Sequence, residues 1–102
     1  MSFMSNAVGS SRVSGAEARR LVREEDALLV DVRSPQEFAG GHAEGALNIP
    51  LRELSARRGE IPSGRKIIVY CLSGARSASA ASVLRGHGHE VLDAGGLSNM
   101  MS

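Results

Sequence analysis

The chain has 102 residues, 42% apolar and 23% charged, the size and balance of one globular domain. With 12 basic against 11 acidic side chains its net charge is +1, and 3% aromatics include no Trp; both argue against a nucleic-acid or anionic-membrane surface. No apolar run approaches the ~18 residues of a membrane span, and the lone Cys71 excludes an intrachain disulfide and a multi-cysteine metal site.

Residues 1–11 (MSFMSNAVGSS) lack the basic and apolar regions of a signal peptide, so they are expected to be a flexible tail on a cytoplasmic protein. One domain is expected over 12–102. Ser14 and Glu17 have the spacing of a capping box and open a helix in which Ala18, Leu21 and Val22 recur to about Glu24. Ala27 to Val32 is short and almost wholly apolar, as in a strand covered on both faces. Ser34-Pro35-Gln36-Glu37 is a second capping box with Pro at the first helical position, and Gly40-Gly41 stop that helix. A strand is predicted over Ala46–Ile49, closed by Pro50, then a helix over Leu51–Arg58 and a turn at Pro62-Ser63-Gly64. Lys66–Tyr70 is the clearest strand, β-branched and running into Cys71. A helix rich in small residues follows over Arg76–Arg85, ended by Gly86 and Gly88, and Glu90–Leu92 is a last strand.

Strands alternating with helices at this spacing imply βα units and a parallel sheet with helices on both faces. Ligands bind such sheets beyond the carboxyl ends of the strands. Cys71 stands at one of those ends.

The loop Cys71-Leu72-Ser73-Gly74-Ala75-Arg76-Ser77 joins the strongest strand to the most compact helix. Such a junction aims consecutive backbone N–H groups at one point, and the helix N-terminus adds partial positive charge. Gly74 is free to take the positive φ that a curled anion nest requires. A thiol at the mouth of that cradle is pushed toward thiolate, the nucleophilic form. Residue type alone favours a buried structural cysteine at a strand end; the register of Gly74, Arg76 and Ser77 turns the reading to the reactive thiol.

In this segment the chain resembles the rhodanese-like domains, whose strand–Cys–loop–Arg-Ser–helix motif matches Val69 to Ser77. The resemblance continues through Leu29–Arg33 (LVDVR), Glu37-Phe38, Gly41-His42, Gly45–Pro50, Gly86–Gly88 and Asp93–Leu97, and so covers about Ser14 to Asn99. It implies a three-layer α/β/α fold with a central, mostly parallel five-stranded sheet. It also implies sulfur transfer: Cys71 takes a sulfane sulfur from a small donor such as thiosulfate, holds it as a persulfide among the amides of Leu72 to Ser77, and yields it to cyanide or a thiol. A terminal persulfide is an anion, and fixed amide dipoles are what it needs. Four residues separate Cys71 from Arg76, one fewer than in rhodanese-fold phosphatases and arsenate reductases. The shorter loop suits one sulfur atom better than a tetrahedral phosphate. The remaining alternative is a persulfide carrier fed by a protein donor or serving a protein acceptor, docking at an apolar rim around Leu72 and Leu97.

Other candidates support the loop. Asp31 and Arg33 end the first strand and are expected to face the same crevice; the resemblance gives Arg33 a possible anionic substrate, while a purely structural pair is the alternative. Arg76 could grip an oxyanion or brace the loop against Asp31 or Glu37, and bracing is favoured. Ser73 and Ser77 could donate hydroxyls to the sulfur, or Ser77 could cap its helix. His42, which the family places near the site, is read as structural. His87 and His89 alternate without a third ligand, so no metal is assigned, and no phosphate-binding glycine motif supports a nucleotide cofactor. Leu72 and Ala75 replace charged or polar residues often found in the family loop. Leu97–Ser102 ends the chain where the family carries an aromatic and a closing helix, and Met100-Met101 are expected to fill that space. A monomer is expected, with no nucleic-acid or membrane partner.

Overall fold

The computed structural model describes residues 12–101; the expected tail over 1–11 lies outside them. Helix α1 (Gly15–Glu25) starts where Ser14 Oγ accepts the Glu17 N–H, and ends at Asp26 in a left-handed conformation, φ 59°. The reciprocal arm of that capping box does not form, because the Glu17 carboxylate pairs with Arg20 instead, at 2.7 Å. In α2 (Pro35–Ala39) both arms are present: Ser34 Oγ accepts from Glu37 N–H, and Glu37 accepts from Ser34 N–H.

The strands are β1 (Leu28–Asp31), β2 (Leu47–Asn48), β3 (Ile67–Cys71) and β4 (Val91–Gly96), all parallel in the order β2-β1-β3-β4. Among the described residues four strands stand where the resemblance implied five. At the fifth position, beside β4, a single parallel bridge joins Arg12 to Asp93. The Val13 N–H also donates to Asp93 O, and Ser14 then caps α1, so the described backbone passes from this pairing straight into the helix.

Side chains alternate across the sheet and sort into two cores. Val30, Val32, Val69 and Cys71 face α3 (Ala75–Gly86), where Ala80, Ala81 and Leu84 close over them. Leu29, Ile68, Tyr70 and Ala94 face α1 and α4 (Leu97–Met101), meeting Ala18, Leu21 and Met100. Every residue of β3 is buried, which accounts for its unbroken apolar run.

Two further expectations are corrected. Leu51–Arg58 is not an α-helix but a 3-10 turn at Leu51–Glu53, a run of turns, and a second 3-10 turn at Arg58–Glu60. Of this stretch and its end, Leu54 and Ile61 alone are buried. Together with half-buried Leu51 they anchor only the two ends of the stretch, which gives an α-helix too little packing to offset Ser55 and Gly59. Leu97–Met101 does form a closing helix, short as it is: Met100 is buried beneath α1, whereas Met101 stays 61% exposed and fills nothing. Gly15 makes that contact possible, since a Cβ there would overlap the Asn99 carbonyl.

Candidate active site

Cys71 ends β3 with its side chain on the α3 face, fully buried beside Val32. The chain then turns sharply. Ser73 makes an antiparallel bridge to Gly96, and Leu72 O accepts the Leu97 N–H at 3.2 Å. Gly74 takes φ 104°, as the sequence required, and serves as N-cap of α3 without any side-chain cap. Its N–H therefore points back at the thiol, 2.9 Å from Sγ.

Burial pushes the Cys71 thiol up, but the Ser77 hydroxyl and the N–H groups of Ser77, Gly74 and Ser73 outweigh it and bring the group below its ordinary value. Ser77 is fully buried, and its hydroxyl stands 3.1 Å from Gly74 O while also facing the sulfur; its one proton ties the loop to the helix when given to the carbonyl and stabilises the thiolate when turned to Sγ. It does not act as a cap. Leu72 is 53% exposed and Ala75 opens α3, so neither brings a charged group to the rim.

Arg76 is a brace. Its two terminal nitrogens meet the Glu37 carboxylate at 2.7 and 3.0 Å, tying the first turn of α3 to α2. The same contact, with the Ser34 N–H, draws the Glu37 carboxyl down to about 2. Asp31 is not its ion-pair partner.

Asp31 and Arg33 do not share the thiol's crevice. Asp31 lies on the Tyr70 side of the sheet, because β1 alternates from Val30 on the thiol's face. Arg33, 3% exposed, folds back on Asp31 at 2.8 Å and donates to Gly41 O at 2.7 Å. Its guanidinium lies 5.8 Å from the Tyr70 ring centroid. The Tyr70 hydroxyl accepts the Ala43 N–H, and burial pushes its pKa up to about 12. This network pins the α2–β2 connection and leaves Arg33 no open face for a substrate. His42 stacks on Phe38 with ring centroids 3.6 Å apart, and its Nδ1 lies 2.9 Å from Phe38 O, a local structural contact. His87 lies beside Arg58, and among the described residues no three His, Cys, Asp or Glu side chains gather to hold a metal ion.

Two features escaped sequence reasoning. Gly96 was visible only as half of a Gly-Gly pair, yet a Cβ there would stand 2.6 Å from Leu72 O. Its bare Cα lets the thiol loop seat on β4. A groove of about 410 Å³ also opens beside the loop, lined by Val32, Ser34, Pro35, Pro50, Leu51, Arg52 and Arg76; no sequence motif announced it.

The arrangement supplies a thiol whose anion is stabilised by converging amides, on a loop held from both sides. Residues 14–100 match the family described as the rhodanese-like domain. A sulfurtransferase of Allochromatium vinosum is 41% identical over 86 residues, covering 84% of this chain and 77% of the relative. Among solved structures, the reduced CoADR-RHD of Bacillus anthracis superposes with TM-score 0.79 and 36% identity over 87% of this chain; the match spans 16% of that longer protein. A human single-domain sulfurtransferase superposes with TM-score 0.75 and 29% identity, covering 89% of this chain and 94% of its own.

Proposed function

The chain belongs to the rhodanese-like domain family, and from that premise we propose that it is a sulfurtransferase working through a Cys71 persulfide. The similarity to a sulfurtransferase supports sulfur transfer in general. The finer reading rests on one observation: the Gly74 N–H contacts Sγ at 2.9 Å in a loop that lowers the thiol's pKa. The Cys71 thiolate attacks the outer sulfur of thiosulfate. The S–S bond breaks, sulfite leaves with the electron pair, and the transferred sulfur remains as a persulfide anion within reach of the same amides. Cyanide or a thiolate then attacks the terminal sulfur, and the pair returns to Cys71. The thiol is covered, so a donor has to displace atoms of the loop rim to touch it. A single free thiol is suited to a reducing cytoplasm.

Intact mass after thiosulfate treatment tests the reading. One added sulfur, removed by reductant and lost in Cys71→Ser, is the expected result; an unchanged wild-type mass would refute it. The exposed Leu72 at the rim favours a second reading, a carrier loaded by a protein donor. That reading predicts loading from a protein persulfide and none from thiosulfate.

A further inference from the structure

The loop amides surround the sulfur itself, so a cation nearby would favour the donor's remaining anionic end, and the two arginines of the family motifs are already engaged. Arg33 is buried against Asp31 and Gly41 O, facing away from the thiol. Both terminal nitrogens of Arg76 are held by Glu37. The groove beside the loop offers another. Its floor includes Val32, which shares the sheet face of Cys71 on the neighbouring strand, and its walls include Arg76 and Arg52. Among the described residues Arg52 has no carboxylate and no carbonyl paired to it, although it lines the groove.

Its position is set by rigid backbone. The Leu51 N–H donates to Val32 O at 3.0 Å, the Leu54 N–H closes the 3-10 turn on Leu51 O, and the Leu54 side chain is fully buried. Arg52 is thus carried on a short turn tied to the end of β1, and among the described residues nothing pairs its guanidinium where it lines the groove with Ser34 and Arg76.

Resting on the sulfur-transfer reading, we infer that Arg52 is the substrate-binding cation that receives the anionic end of the sulfur donor, while the donor's outer sulfur reaches Cys71. The substrate class is a small sulfane donor with a terminal oxyanion. A planar guanidinium matches a sulfonate in a two-point contact.

The test measures persulfide formation on Cys71 by intact mass at rising thiosulfate concentration. Arg52→Gln should raise the half-saturating concentration about tenfold, the scale of one charged contact, and leave the plateau rate unchanged. Arg52→Lys should recover part of the loss. Added salt should weaken half-saturation in the wild type and do so much less in Arg52→Gln. Arg58→Gln removes the same charge away from the groove and should behave as wild type. Equal half-saturation in wild type and Arg52→Gln would overturn the assignment while leaving sulfur transfer standing, and so would an equal rise in Arg58→Gln. A wild-type protein that thiosulfate never loads would remove the thiosulfate-type reading of the site, and this assignment with it, leaving the carrier loaded by a protein donor.

Discussion

Gly96→Ala puts the least bulk where the thiol loop has the least room. A Cβ at this position would stand 2.6 Å from Leu72 O, 3.4 Å from Leu72 C and 3.5 Å from Ser73 Cα. Carbon–oxygen contacts settle near about 3.3 Å, so Leu72 has to retreat by roughly 0.7 Å. The retreat works against the Leu97 N–H bond to Leu72 O and the Ser73–Gly96 bridge. It also carries the Ser73 and Gly74 N–H groups away from Sγ. A hydrogen bond to a charged group is worth about 1.5–3 kcal/mol; weakening two of them without losing either should cost about 1.4 kcal/mol of thiolate stabilisation, or about one pKa unit. Iodoacetamide alkylation followed against pH reads this directly. The expected result is a midpoint about one unit higher than wild type, in a variant that circular dichroism shows to be folded. A folded Gly96→Ala protein with the wild-type midpoint would refute the claim that the seat on β4 sets the thiol's acidity.

Two other predictions concern the supports of the site. Glu37→Gln removes the carboxylate that braces Arg76. Because Glu37 titrates at about 2, below its ordinary 4.5, its contribution is fully present above the ordinary value and fades as pH falls through the folded one. The urea midpoint of wild type should therefore exceed that of the variant at neutral pH, and the gap should narrow steadily from about pH 4.5 downward; a gap constant with pH would show that the brace is not electrostatic. Gly15→Ala should lower the urea midpoint by about 1–3 kcal/mol in stability terms, the usual cost of overpacking, even though Ala is the better helix former. A stabilised Gly15→Ala variant would mean that α1 and α4 do not pack as closely as the Gly15–Asn99 contact requires.

What could be read directly from the sequence was short-range. The strand entering Cys71 is a contiguous apolar run, α2 is announced by a capping box within four residues, and Gly74 had to permit a curl in a loop too short for any other path. Local backbone chemistry decides each of these, so adjacent residues suffice to reveal it. The tertiary structure decided what depends on which distant surfaces meet. Arg76 finds Glu37 from 39 positions away, and Gly96 matters because Leu72 descends on it. Asp31 and Cys71 fall on opposite sides of the sheet through the pleat and register of β1 and β3. The Leu51–Glu60 stretch gave up its helix because packing anchored it only at its two ends, by Leu51 and Leu54 on one side and the following Ile61 on the other, and the same turns carried Arg52 to the wall of the groove beside the thiol loop.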